Sequence, residues 1–384
     1  MKIRSITIGL DPGFPLKTAR ITQGGRFAQT VKTLCEEEGF AVQTLRLATP
    51  PFPQYLAGCS PATVLRFTQE LEACCLANGL DYCALGPVDP SVPGEHRFVD
   101  VLPDLIAGTE IVFVSARLGN GAQAFAWPTT QAIASIMKTI ADTTPDGFGN
   151  LRFAAAIHIR AQTPFFPVAF HTGTPAVSLA LEAADVVASV AQPDLSPAGL
   201  ITQIQQAFER QLHPLARRLK RLGQQHFRFA GFDLSPAPGP GSSIARAIER
   251  ISAVPFGSPG TLAAAALVTA ALKETALDQC GYCGLMLPVL EDAGLAERNN
   301  QGKIRLPQLL TYSAVCGTGL DTIPLAGDVS QHQLMGILSD VEALGWKLQK
   351  PLSVRLLPIP GGQVGEMTTF DFPYFVNTQI MDVD

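Results

Sequence analysis

The sequence predicts an α/β fold in a single large domain, and three observations carry that reading. Short apolar or alternating runs recur along the 384 residues with helical periodicities between them, which is the pattern of parallel βαβ units. The loops after several of those runs are rich in glycine and proline. Composition is 47% hydrophobic and 16% charged, and the mean hydropathy of +0.21 implies a large covered core.

The expected strands lie at 3–9 (IRSITIG), 41–48, 81–87, 110–117, 151–159, 226–234 and 352–359. The expected helices span about 61–78, 129–142, 197–224, 259–275 and 330–347, the first opened by Ser60 as cap with Pro61 at the first helical position. Domains 1–384 form one unit, since α/β barrels commonly exceed 200 residues; the proline-glycine segment 236–241 is the one point at which the chain would divide.

Apolar runs fall short of the about 20 residues needed to span a bilayer, TLAAAALVTAALK at 261–273 being the longest considered, and the N-terminal run stops at Asp11 and Pro12. A cytoplasmic protein that makes no use of a membrane is expected. The net charge is −5 with a pI near 5.7, and the basic stretch 215–228 lacks interleaved stacking aromatics, so a solvated helix face is expected there and no nucleic-acid partner. Eight cysteines at irregular spacing in a long chain argue against a disulfide scaffold. Cys280 and Cys283 form a CxxC without the second pair of ligands a zinc site requires. The apolar composition makes a homo-oligomer, such as a homodimer, an expected partner state.

In parallel α/β folds ligands gather at the carboxyl ends of strands. The loops at 86–96, 161–175, 235–243 and 358–366 therefore mark the expected rim of a site. The stretch VCGTGLDTIPLAGD at 315–328 reads as a constrained loop presenting Cys316, because its glycines permit positive φ and close approach. Cys316 is the candidate nucleophile or hydrogen-transfer group, with His171, at the end of the rigid PFFPVAF run, as its acid/base. The amides of Gly317, Thr318 and Gly319 offer an oxyanion cradle. A buried cysteine acting as a small hydrophobe and a histidine closing a turn are the bland alternatives.

Among the carboxylates, Asp233 and Asp321 are the two retained as orienting groups or as ligands of a divalent cation, a convergence that depends on the fold. Ser242 and Ser243 open a helix whose N-terminus could hold an anion, with Arg246 one turn in as its partner. Arg355, inside the late strand LSVRLLPI, is either an ion-pair member or a ligand anchor. No dinucleotide or P-loop fingerprint is present.

Several strings together, TPDGFGNLRFAA (144–155), PFFPVAFH (164–171), FDLSPAPGPGSS (232–243), GYCGLMLPVLEDAGLAER (281–298), VCGTGLDTIPLAGD (315–328) and EMTTFDFPYFVNT (366–378), resemble the uncharacterised pyruvate-formate-lyase-like family of bacterial and archaeal proteins, domain of unknown function 711. The resemblance implies a single α/β barrel of about ten strands, as in glycyl-radical enzymes and ribonucleotide reductases. It carries no settled reaction. Glycyl-radical enzymes keep a thiyl cysteine on a loop inside the barrel and a glycine near the C-terminus in a motif of the RVSGY kind; the sequence after Gly365 has no such motif, so glycyl-radical catalysis is not expected. The resulting expectation is an enzyme acting on a small polar or anionic metabolite in a barrel cavity. A non-catalytic ligand-binding or regulatory barrel is the alternative.

Overall fold

The computed structural model describes residues 1–119, 127–192, 194–223 and 227–383. Residues 224 and 226, the ends of an expected helix and an expected strand, lie outside them, as does part of the basic stretch 215–228. Nine strands form one sheet among the described residues: β1 (Lys2–Gly9), β2 (Val42–Pro51), β3 (Tyr82–Gly86), β4 (Val112–Arg117), β5 (Phe153–Ile157), β6 (Ala176–Glu182), β7 (Arg228–Ala237), β8 (Gly319–Ala326) and β9 (Leu352–Ile359). Their order is β7-β6-β1-β2-β3-β4-β5-β9-β8.

The first five strands run parallel to one another. β6 pairs antiparallel with β1, and β9 antiparallel with β5, so β6 to β9 all run the opposite way. This corrects the expectation of a single rim. Carboxyl ends of β1–β5 lie at one end of the sheet and those of β6–β9 at the other, which sends the loops after β3 and β5 away from those after β7 and β9.

The segment 278–290 bonds both edge strands. On the β7 side Phe232 N donates to Asp278 O at 2.9 Å and Cys280 N to Phe232 O at 3.0 Å. On the β8 side Val289 N donates to Asp321 O at 3.1 Å and Leu290 N to Thr322 O at 3.3 Å. Positive φ at Gly281 (67°) and Cys283 (46°) keeps this stretch from forming a regular strand between those contacts.

Strand alternation separates two faces. Ile6, Ile8, Leu45, Leu47, Cys83, Leu85, Val112, Val114, Val177 and Leu179 belong to the main core together with helix residues such as Ile21, Val31, Phe67, Leu71, Ile133, Ile140, Ile204 and Phe208. The other face carries smaller or polar side chains: Ser5, Thr7, Thr44, Arg46, Ala48, Ala84, Ala154, Ala156 and Ala180. Onto it packs the loop between β5 and β6. Phe165 and Val168 sit with Ala154, Ala156, Ala180, Tyr282 and Met286, while Phe166 and Ala169 sit with Ala48, Ala84 and Phe113. Each buried phenylalanine contributes about 1.5–3 kcal/mol. Thr7 Oγ1 fixes the loop from the strand side by donating to Pro164 O at 3.2 Å.

The helices Pro61–Ala77, Trp127–Thr143, Pro197–Leu222, Thr261–Lys273 and Gln331–Leu348 agree with the sequence patterns. Ser60 Oγ accepts from Thr63 N, as a cap should. The helix Thr18–Glu37, not among those expected from the sequence, contains Gly24 and Gly25. A Cβ at Gly24 would lie 2.8 Å from Leu10 Cδ2, and one at Gly25 only 2.5 Å from Asn78 O, so close packing requires both glycines. β6, for which no element was expected, and β8, read as loop, are strands buried throughout. No described helix is long and apolar enough to cross a membrane.

Candidate functional site

A cavity of about 380 Å³ opens on the polar face of the sheet, at the amino ends of β1–β4 and the carboxyl end of β7. Alternation on the strands turns Thr44, Arg46, Tyr82 and Phe113 into it, and the irregularity in β1 between Ile3 and Ser5 brings Arg4 to the same face. Asp321 of β8 and Arg355 of β9 reach it from the other half of the sheet, and Glu291 from the stretch after 278–290. Phe165 and Phe166 of the inserted loop and Phe372 and Tyr374 of the C-terminal stretch supply apolar walls. Phe148 packs against Phe370, Phe372 and Phe375, which holds that C-terminal stretch in place.

Four charged groups form a chain within the cavity. Arg4 Nη2 donates to Glu291 Oε2, Arg355 Nη2 donates to Glu291 Oε1 at 2.8 Å, and Arg355 Nε donates to Asp321 Oδ1 at 2.7 Å. Asp321 Oδ2 has no hydrogen-bond partner among the described residues. Burial, above all, raises the Asp321 carboxyl above the ordinary carboxylate range; Arg355 opposes that rise and Glu291 adds to it. Burial would raise Glu291 as well, but Arg4 and Arg355 outweigh it and hold Glu291 below its ordinary value. Two neighbouring carboxyl groups are thus driven apart in proton affinity, which is how acid and base roles are separated at neutral pH.

Arg46 stands outside this chain. Its Nε donates to Thr44 Oγ1 at 2.8 Å, and its guanidinium carbon lies 5.3 Å from the Tyr82 ring centroid and 5.0 Å from that of Phe166. It is only 8% exposed, and no carboxylate among the described residues lies within ion-pair distance of it. Burial first, then the neighbouring Arg4, lower its pKa to about 9, so it stays charged at neutral pH. The cavity is lined by four arginines, counting Arg152, and three carboxylates, Glu110, Glu291 and Asp321, which leaves one positive charge in excess. That excess is complementary in charge to an anion.

Of the residues expected from the sequence, the structure brings Asp321 and Arg355 together here; the others lie elsewhere. Cys316 is 0% exposed in the main aliphatic core and lines no part of the cavity, so an accessible nucleophile at that position is corrected to a core residue. His171 is also buried, with Nε2 3.1 Å from Gly173 O and the ring over Gly9, where a Cβ would meet Nδ1 at 2.5 Å. It closes a turn. The Gly317 amide donates to Leu285 O at 2.9 Å, Thr318 O accepts from Ser353 N at 2.8 Å, and Gly319, at φ 94°, lies where a Cβ would meet Ser353 O at 2.3 Å. These contacts knit β8 to its neighbours, and the Gly317 amide is already bonded within the chain.

Asp233 and Asp321 do not share a cation site. Asp233 Oδ1 accepts from Ser235 N, Ser235 Oγ and Cys283 N, and Oδ2 accepts from Tyr282 N, so the carboxylate anchors 278–290 to β7. The helix Ile244–Ser252 does hold an anion at its N-terminus, but it is the chain's own Asp292, which accepts from Ile244 N at 2.6 Å and from Ser243 Oγ at 2.6 Å. Ser242 Oγ accepts from Gly239 N, closing the turn, and Arg246 pairs at the surface with Glu297 at 3.0 Å. An external anion has no place at that terminus.

The sequence reading missed Arg4, Arg46, Tyr82 and the plug formed by Phe165 and Phe166. A signal was present for two of them: Arg4 and Arg46 are cations within strand-like runs, the same feature that singled out Arg355.

A family model described as "Uncharacterised ACR (DUF711)" matches residues 1–371. The chain is similar to proteins named only as UPF0210 protein: one from Neisseria gonorrhoeae, 27% identical over 403 residues, with 96% of this chain and 87% of that protein covered, and one from Actinobacillus pleuropneumoniae, 26% identical over 398 residues with the same coverage. A third, from Bifidobacterium animalis, is 26% identical over 409 residues, covering 96% of this chain and 88% of the relative. With the family model extending over nearly the whole length, the chain belongs to the uncharacterised DUF711 family.

Proposed function

We propose that the protein is an enzyme that performs acid–base chemistry on a small anionic metabolite held in the cavity between Arg46 and Asp321. The observation that carries this reading is Arg46, a buried guanidinium stacked on two aromatic rings with no carboxylate within ion-pair distance among the described residues. A carboxylate or phosphate on the ligand supplies the missing countercharge. Asp321, with raised proton affinity and a free Oδ2, gives or takes a proton at the ligand's reacting end, while Glu291 stays ionised between Arg4 and Arg355. The phenylalanine walls exclude water and strengthen both interactions.

In this reading the segment 278–290 is the tenth strand of a closed barrel, supported by its bonds to both edge strands. Glycyl-radical chemistry has no part in it: the loop lying on the inner face carries Pro164-Phe165-Phe166-Pro167 where a thiyl enzyme carries a cysteine. The cytoplasmic placement and homo-oligomer expected from composition belong to the same proposal. A binding barrel without catalysis would share Arg46 and differ at Asp321. Incubation with a small-molecule cell extract, followed by mass spectrometry, separates the two. Depletion of an anionic metabolite by the wild type, abolished in Asp321→Asn, supports the enzyme; equal depletion by both proteins, or by neither, rejects it.

A further inference from the structure

A second cavity, of about 190 Å³, opens at the opposite end of the sheet, where β3, β4 and β5 finish, and it shares no lining residue with the first. Two buried polar atoms at it have no partner among the described residues: Ser115 Oγ, on a residue 1% exposed, and His158 Nε2. Buried polar atoms in native proteins are nearly always bonded, so two orphans on one cavity require a ligand or ordered water. His158 also adopts φ 55°, a left-handed conformation that is costly for a residue with a Cβ and tends to occur at functional positions. Burial lowers its pKa, which leaves a neutral imidazole at pH 7.

The same cavity presents both signs of charge. Arg117 Nη1 and Asp89 Oδ2 face each other at 3.9 Å, a separation too long for a hydrogen bond, and the Arg117 guanidinium carbon lies 5.7 Å from the Phe170 ring centroid. Asp89 Oδ1 is occupied by Ser91 N and Oγ, leaving Oδ2 available. A simple carboxylate would satisfy Arg117 and Ser115 but place an anion beside Asp89. A simple amine would do the reverse to Arg117. A molecule carrying both charges satisfies all four groups, and the volume lies below the ~300–1,000 Å³ of sites for drug-sized ligands.

We propose that this cavity binds a small zwitterion of the α-amino acid class with a short side chain, its carboxylate on Arg117 and Ser115 and its ammonium on Asp89 and His158. This site is separate from the anion cavity and stands or falls independently of the reading given for it.

Isothermal titration with glycine, alanine and serine, with acetate and methylamine as single-charge controls, tests the proposal, together with the ¹³Cε1 resonance of His158 in labelled protein. At least one amino acid is expected to bind saturably, to move the His158 resonance, and to lose about tenfold or more in affinity in each of Asp89→Asn, Arg117→Gln and Ser115→Ala. Arg46→Met should leave that affinity unchanged. Binding of acetate or methylamine as tight as that of the amino acid, affinity indifferent to all three variants, loss of binding in Arg46→Met, or no saturable binding up to about 10 mM overturns it. Ser115→Ala removes a single buried hydroxyl with no partner among the described residues, so it keeps the test valid if a charge variant fails to fold.

Discussion

The Arg46 guanidinium lies against the ring of Phe166, 5.0 Å from its centroid, which makes the tip of the inserted loop one wall of the anion pocket. A buried cation without a countercharge destabilises the ligand-free protein. Arg46→Met should therefore raise the stability of the free protein, by about 1 kcal/mol in urea unfolding, while weakening its anionic ligand by roughly 10- to 100-fold. A variant that loses stability instead would place Arg46 in a structural ion pair.

Arg355 has the opposite role, since it touches both carboxylates. Removing it in Arg355→Met leaves Asp321 and Glu291 short of countercharge in a buried site, and a cost of about 3–5 kcal/mol is expected. Asp321→Asn in the same background should recover part of that loss, which a double-mutant cycle in urea measures.

Glycine positions give a paired prediction. A Cβ at Gly317 would come within 2.3 Å of the Gly284 Cα, backbone against backbone, so Gly317→Ala should destabilise by about 1–3 kcal/mol or more. Gly336 lies in the helix Gln331–Leu348 with nothing within 4 Å, and Gly336→Ala should stabilise by about 0.5–1 kcal/mol. Thermal melting of the two variants checks the contrast.

His171 sets a pH dependence. Burial, the largest cause, lowers its pKa below the unfolded value, so the unfolded chain binds more protons as the pH falls. Its contribution to stability is complete above the ordinary imidazole pKa and is lost as pH drops through the folded value. His171→Gln should therefore show a smaller fall in urea midpoint between about pH 7.5 and 5 than the wild type.

The helices with caps and continuous periodicity were legible in the sequence, as Ser60-Pro61 and Gln331–Leu348 illustrate, because local chemistry decides them. β8 was not. The glycines and two aspartates of the stretch 315–328 read as a loop, yet Gly319 is glycine because Ser353 O approaches it, and Asp321 is buried because Arg355 stands beside it. Both causes come from a strand distant in sequence. Candidate residues were read by side-chain chemistry, which singles out cysteines, histidines and serines. Cys316 proved to be packed in the core and His171, Ser242 and Ser243 to be bonded within the chain, whereas the cavity draws on residues such as Arg46, on a strand whose alternation shows only when the opposite face is known to be covered by helices. The direction of β6 to β9 was equally hidden, since parallel and antiparallel neighbours share one alternation pattern.

The most direct test of the central claim is calorimetric titration of inorganic phosphate and of small mono- and dicarboxylates into the wild type and Arg46→Met. The account predicts one-site binding of at least one of these anions to the wild type, weakened by roughly 10-fold or more in the variant. Equal affinities in the two proteins, or no anion binding to the wild type, would contradict it.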